Sequence, residues 1–192
     1  MNLPNKITLA RIFMIPLFAV AFYLTVVPYN FVISAVIFAI ASFTDFLDGY
    51  IARKYHLVTD MGKFLDPIAD KVLVSTALIL CLVLPSGQVF FPEYAFIAPV
   101  CVALIMAREL IVSGFRLVAS GKNMVIAADW SGKIKTFFTD VTIIVMLISL
   151  QFNIDWVTLT AVVMLILSTL LTVYSGAECI IKNRAVLKDK GE

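Results

Sequence analysis

DFLDGYIARKYHLVTDMGKFLDPIAD, residues 45–70, contains two pairs of aspartates in the frame DxxDGxxAR, eight residues, GxxxDxxxD. Asp45 and Asp48 are three residues apart, and Asp66 and Asp70 are four apart, so each pair projects from one face of a helix. Two such faces packed together place four carboxylates around a common space. Because neighbouring negative charges need neutralisation, and hard divalent cations prefer oxygen ligands, we expect one or two Mg²⁺ or Mn²⁺ ions there.

The composition around this frame is that of a membrane protein. The 192 residues are 61% hydrophobic, with a mean hydropathy of +1.00, which is too apolar for a soluble chain. We therefore predict an all-α integral membrane protein whose single domain covers residues 1–192. Its six predicted transmembrane helices correspond to the apolar stretches 12–27, 31–44, 72–84, 94–107, 137–150 and 156–174.

Four of these stretches contain only 13 or 14 residues, fewer than the roughly 20 that cross the hydrocarbon core. They continue into polar residues of helical character, such as DFLDGYIAR after the second stretch and ARELIVSGFR after the fourth. Ionisable residues at membrane depth usually face a protein interior or a water-filled site. The sequence therefore predicts a polar cavity at this end of the helices.

The basic residues indicate which end this is. The linkers 28–30, 85–93 and 151–155 contain no Lys or Arg, so all fifteen basic residues fall in the alternate segments. The positive-inside rule makes that side cytoplasmic, and both termini and the polar cavity lie on it. We expect a multi-pass protein of the cell membrane whose active site faces the cytoplasm.

The frame resembles the signature of the CDP-alcohol phosphotransferases, integral membrane enzymes that transfer a phosphatidyl or related group from a CDP-linked donor to an alcohol. All fixed positions of the signature are present: Asp45, Asp48, Gly49, Ala52, Arg53, Gly62, Asp66 and Asp70. The resemblance implies CDP-diacylglycerol as donor, metal ions held by the four aspartates, and a homodimer. It also implies that Asp70 is the general base that takes the proton of the acceptor hydroxyl.

The resemblance also assigns a group of residues to the donor nucleotide: Asp48, Gly49, Ala52, Arg53 and Thr59. From the residues alone, Gly49 removes a side chain where a ligand approaches the backbone. Arg53 either pairs with a pyrophosphate or extends to the membrane surface. Asn5 and Thr8 either help to seat the donor or cap the first helix. Pro67 leaves the start of the third helix open, since the helix begins at the proline or earlier and bends there.

Two further blocks, ARELIVSGFR (107–116) and WSGKIKT (130–136), resemble the bacterial phosphatidylglycerophosphate synthases, a branch of the family whose acceptor is glycerol 3-phosphate. An acceptor that carries a phosphate needs a fixed cationic pocket. The residues assigned to it are Arg108, Arg116, Lys133 and Lys135. Taken singly, each of these charges is also what the positive-inside rule predicts for topology.

The expected reaction is CDP-diacylglycerol plus glycerol 3-phosphate giving phosphatidylglycerophosphate plus CMP, within a lipid membrane and without a nucleic-acid partner. The first alternative is a sister enzyme whose acceptor is inositol phosphate, serine or phosphatidylglycerol. An alternative from another class is a divalent-cation transporter with an intramembrane carboxylate site. A transporter predicts acidic residues spread toward both membrane faces, whereas here they crowd one end.

Overall fold

The computed structural model describes residues 3–55, 60–86, 90, 95–122, 124 and 130–187. Six long helices, α1 to α6, make up most of these residues, and the short 3₁₀ helix Arg184–Leu187 follows α6. Their bounds, in chain order, are Leu3–Tyr23, Asn30–Lys54, Asp60–Leu82, Ile97–Gly121, Trp130–Phe152 and Asp155–Lys182. No β-strand occurs within the described ranges, so the prediction of an all-α fold is confirmed.

The helices are longer than the apolar stretches that predicted them. α2 continues from its apolar half through the first aspartate pair to Lys54, and α4 continues through ARELIVSGFR to Gly121. Each has 25 residues, a length of about 37 Å, which exceeds the hydrocarbon core of about 30 Å. α3 begins at Asp60 and contains Pro67, so the helix starts well before the proline. The polar segments are therefore helical, as predicted.

Five of the described helices are long and apolar enough to cross a membrane: α1, α2, α4, α5 and α6. α3 is not one of them, because its first half carries Asp66, Asp70 and Lys71 among its apolar residues. A sixth span formed by α3, and the placement of both termini on the cytoplasmic side, stay predictions.

The helices pack around a buried apolar core. α1 lies against α2 and α3, α2 also packs against α5, and α6 packs against α4 and α5. In the core, the Phe18 ring centroid lies 6.4 Å from that of Phe22 and 6.1 Å from that of Phe38, and all three side chains are fully buried. Large apolar side chains such as Phe13 and Phe137 point outward instead, as expected of helices surrounded by lipid.

At the end of the bundle far from the aspartate frame, polar contacts stabilise the turn between α1 and α2 and link it to the end of α5. The Asn30 side-chain amide donates to the Phe22 carbonyl at 2.8 Å, linking the two ends of the α1–α2 turn. The Phe31 backbone N–H donates to Gln151 Oε1 at 3.2 Å, which ties this turn to the end of α5. Asn153 adopts a left-handed φ of 47° between α5 and α6, a conformation that asparagine tolerates. These contacts fix the helix ends that lie far from the aspartate frame.

Candidate active site

A carboxylate cluster forms where the first turns of α1 meet the last turns of α2 and the start of α3. Arg11 is completely buried there, with Nη1 2.6 Å from Asp45 Oδ1 and Nη2 2.5 Å from Asp48 Oδ2. Its Nε donates to the Ala41 carbonyl at 3.2 Å. One guanidinium therefore bridges both aspartates of the first pair, with a different terminal nitrogen on each.

Thr8 joins the first aspartate pair to the second. Its Oγ1 lies 2.7 Å from Asp66 Oδ1 and 3.4 Å from Asp48 Oδ2. Thr8 lies within α1, not at the helix cap, and its side chain is buried. A single hydroxyl thus brings together carboxylates that are 18 residues apart in the sequence, as the opposed helix faces predicted.

A cavity opens beside this cluster, between α3, α4 and α5. It contains about 390 Å³ of empty space when its open mouth is counted. The charged residues that line it are Asp70, Lys71, Glu109, Lys135 and Asp140. The Asp70 carboxylate interacts electrostatically with Asp45 as well as with Asp140 and Lys135. Asp70 therefore lines the cavity and lies within electrostatic reach of the carboxylate cluster.

Two of the predicted acceptor-binding residues meet at Glu109. Lys135 Nζ lies 2.5 Å from Glu109 Oε1, and Arg108 Nη1 lies 2.9 Å from the same oxygen. Lys135 lines the cavity, whereas the other end of the Arg108 guanidinium donates to Ser175 Oγ on α6 at 2.8 Å. Lys135 is therefore the predicted acceptor residue that the fold directs at the cavity.

The other two predicted acceptor residues, Arg116 and Lys133, are not among the residues that line the cavity. Arg116 is exposed on α4, and its charge is close enough to act on Lys71. The Lys133 ammonium lies 5.2 Å from the centre of the Trp130 ring, a cation–π contact at the first turn of α5. The roles of Arg108, Arg116, Lys133 and Lys135 in acceptor binding stay predictions.

The structure describes only some of the predicted donor-binding residues in full. Asp48 and Thr8 belong to the carboxylate cluster, and Gly49 directly follows Asp48 in α2. The backbones of Asn5, Ala52 and Arg53 lie in helices, while their side chains lie outside the described part of the structure. Thr59 lies entirely outside the described residues. Their contacts with a nucleotide stay predictions.

Four charged residues of the site have no role assigned by the sequence motifs: Arg11, Lys71, Glu109 and Asp140. In the sequence, Arg11 is one of the fifteen basic residues that predict topology, although it lies one turn after Thr8 in an apolar helix. Asp140 sits inside an apolar stretch, and an ionisable residue there is itself an indication of function. The Ser42 hydroxyl donates to Asp140 Oδ2 at 2.5 Å. The sequence gives no comparable indication for Lys71 or Glu109. Each directly follows a residue to which a motif already assigns a role, Asp70 and Arg108 respectively.

The donor atoms of the cluster suit a hard divalent cation, because they are carboxylate oxygens. Within the described residues, however, no three acidic, His or Cys side chains converge as a preformed metal site. The Arg11 guanidinium instead occupies the space between Asp45 and Asp48. The carboxylate oxygens therefore suit Mg²⁺ or Mn²⁺ as ligands. For an ion to bind between Asp45 and Asp48, these carboxylates would have to contact both the ion and Arg11.

Comparison with known proteins shows the family to which the chain belongs. The family model for CDP-alcohol phosphatidyltransferases matches residues 1–174. A Bacillus subtilis (strain 168) protein named CDP-diacylglycerol–glycerol-3-phosphate 3-phosphatidyltransferase is 40% identical over 97% of both chains. Proteins of the same name from Rickettsia bellii and Escherichia coli K12 are 37% and 35% identical, over 91% and 98% of both chains. This chain belongs to the CDP-alcohol phosphatidyltransferase family.

Proposed function

We propose that this protein transfers the phosphatidyl group of CDP-diacylglycerol to glycerol 3-phosphate, giving phosphatidylglycerophosphate and CMP for anionic phospholipid synthesis. The observation that carries the proposal is one cavity bordered by both Asp70, from the aspartate frame, and Lys135, from the WSGKIKT block. A carboxylate and an ammonium on the same space suit an acceptor that has a hydroxyl at one end and a phosphate at the other. The names of the three relatives support this acceptor.

In the proposed reaction, Lys135 binds the acceptor phosphate and thereby turns the acceptor hydroxyl toward Asp70. Asp70 accepts the hydroxyl proton as the oxygen attacks the phosphorus that bears diacylglycerol. The new P–O bond forms as the P–O bond to CMP breaks, and CMP leaves with the bonding electron pair. Lys71 adds a second positive charge to the cavity lining. Arg108, Arg116 and Lys133 complete the proposed basic surface around the acceptor phosphate.

For the donor, we propose that Asp45, Asp48, Asp66 and Asp70 hold Mg²⁺ or Mn²⁺, with two ions as the expected number. Bound ions supply positive charge to the pyrophosphate and to the departing CMP. The proposed nucleotide contacts remain Asn5, Thr8, Asp48, Gly49, Ala52, Arg53 and Thr59. The Thr8 hydroxyl supports this assignment for α1, because it already contacts both aspartate pairs.

The proposed setting is the plasma membrane, with six spans, both termini in the cytoplasm and the cavity open to that side. The one-sided distribution of the basic residues supports this orientation. The many exposed apolar side chains of the helices also leave room for the predicted homodimer. The crowding of the acidic residues at one end of the bundle remains the argument against a transporter.

The acceptor is tested by CMP release from purified protein in detergent, supplied with CDP-diacylglycerol and Mg²⁺ or Mn²⁺. Glycerol 3-phosphate, inositol phosphate, serine and phosphatidylglycerol are added separately. We expect release with glycerol 3-phosphate only, and none after chelation with EDTA. Release with another alcohol instead would reassign the acceptor while keeping the transferase, and no metal-dependent release with any acceptor would contradict the proposed function.

Lys135→Met is expected to raise the KM for glycerol 3-phosphate by about 10- to 100-fold, because a hydrogen bond to a charged group contributes about 1.5–3 kcal/mol. The KM for CDP-diacylglycerol should change less than about twofold. The comparison is Lys133→Met, which removes the same charge two residues earlier, where the ammonium rests on Trp130. A smaller effect is expected there, and an equal effect would place both lysines at the acceptor phosphate.

A further inference from the structure

One turn of α4, from Glu109 to Ser113, holds both lysines that line the cavity. Lys135 Nζ lies 2.5 Å from Glu109 Oε1. Lys71 Nζ donates to Ser113 Oγ, and that hydroxyl donates to the backbone carbonyl of Glu109. The side chain and the backbone of the same residue therefore position one cation each. Among the described hydrogen bonds, neither ammonium has an aspartate of the frame as its partner.

Glu109 is itself held from α6, a helix that contributes no residue to the cavity lining in the described structure. Arg108 spans the gap, with Nη1 2.9 Å from Glu109 Oε1 and Nη2 2.8 Å from Ser175 Oγ. Its side chain lies directly over Gly176. A Cβ added at Gly176 would be 2.8 Å from Arg108 Cγ and 2.9 Å from Arg108 Nε, closer than such atoms approach. The path of Arg108 thus requires glycine at this position.

The charges of this group leave Lys135 able to bind an anion. The Glu109 carboxylate faces two cations, so the three side chains together carry one net positive charge. An ammonium has three donors, and among the described contacts Lys135 Nζ uses one of them, toward Glu109. The remaining donors belong to a side chain that lines the cavity. Glu109 therefore restricts where the ammonium sits without cancelling its charge.

We propose that Glu109 is the positioning residue of the acceptor site, and that Arg108, which is anchored to Ser175 and packed over Gly176 on α6, sets its place. Besides the charge that it adds to the basic surface, Arg108 then acts on the acceptor through Glu109 and Lys135. This inference rests on the proposed function, since it concerns the site for glycerol 3-phosphate. It identifies determinants of acceptor affinity on a helix outside the cavity.

The test compares two glycine-to-alanine variants on long helices. Gly176→Ala introduces a methyl group against Arg108, whereas Gly114→Ala introduces one on α4 with nothing within 4 Å. We expect Gly176→Ala to raise the KM for glycerol 3-phosphate about 10-fold, since a displacement of about 1 Å at a binding group can cost up to about 100-fold. The KM for CDP-diacylglycerol should stay within about twofold, and Gly114→Ala should change neither constant. Unchanged acceptor KM in folded Gly176→Ala protein, or an equal rise of both KM values, would overturn the proposal.

Glu109→Gln provides a second variant that adds no bulk, in case Gly176→Ala does not fold. It removes the charge that orients Lys135, and the same selective rise in acceptor KM is expected. A fall in kcat with both KM values unchanged would contradict a positioning role.

A readout independent of turnover separates this inference from the proposed function. The melting temperatures of Gly176→Ala, Lys135→Met and the double variant are compared in detergent. Because Arg108 and Glu109 link the two positions, the two effects should not add, and the double variant should melt close to the less stable single variant. Additive changes in melting temperature would contradict the proposed link between α6 and the cavity, whichever alcohol is the acceptor. The CMP-release assay with wild-type protein tests the acceptor separately.

Discussion

Asp70→Asn is expected to lower kcat by about 1,000-fold or more while CDP-diacylglycerol still binds. General-base catalysis contributes on the order of 100- to 10,000-fold, and the amide that replaces the carboxylate cannot accept the hydroxyl proton. We assign the general-base role to Asp70 because it is the aspartate of the frame that also lines the cavity. Asp45, Asp48 and Asp66 instead contact Arg11 or Thr8 within the carboxylate cluster. The measurement is steady-state CMP release together with titration calorimetry of CDP binding.

Asp155→Asn is the matched control, because this carboxylate is exposed at the first residue of α6. It should retain wild-type kcat. Asp70→Asn protein that keeps more than about a tenth of the wild-type kcat would remove the general-base role. Loss of CDP binding in parallel with kcat would leave Asp70 only its proposed role as a metal ligand on the donor side. Asp45→Ala or Asp66→Ala should weaken metal and nucleotide binding together.

Arg11→Met is expected to lower the free energy of unfolding by about 3–5 kcal/mol when divalent ions are chelated. The guanidinium is fully buried, and its removal leaves Asp48, whose side chain is 3% exposed, without its ion-pair partner. Methionine approximately fills the volume, so the loss reports charge more than packing. Added Mg²⁺ should recover part of the loss if the same carboxylates bind the ion, since a ligand that binds the folded state stabilises it. The measurement is thermal unfolding in detergent, followed by circular dichroism with EDTA or Mg²⁺.

Arg184→Met makes the same substitution at an exposed position of the 3₁₀ helix. Its effect should stay within about 0.5 kcal/mol in either solution. An Arg11→Met protein as stable as wild type in EDTA would show that the aspartates do not depend on this guanidinium. Equal destabilisation with and without Mg²⁺ would argue against metal binding at Asp45 and Asp48.

The sequence predicted most of the fold because its main determinants are local. Long apolar stretches in a chain of this composition form helices, since every backbone group must be hydrogen-bonded within the bilayer. The polar ends remained helical, as in α2 through Lys54, because few helix-breaking residues interrupt them. The predicted number of spans, six, depends on more than local features. α3 carries Asp66, Asp70 and Lys71 in its first half, and apolar length alone does not place such a helix across the membrane.

Residue types and short spacings were enough to predict helices, carboxylate pairs on single helical faces, basic blocks between the apolar stretches, and the family that this combination marks. Those features depend on residue type and on spacings shorter than about two helical turns. Which charges meet was evident only in the folded chain. Arg11 joins Asp45 and Asp48 across more than 30 residues, Lys135 meets Glu109 across 26, and Arg108 turns to Ser175 on α6. Such pairings depend on how α1 to α6 pack against one another. The periodicity of a single helix does not predict which residues of another helix its charged side chains contact.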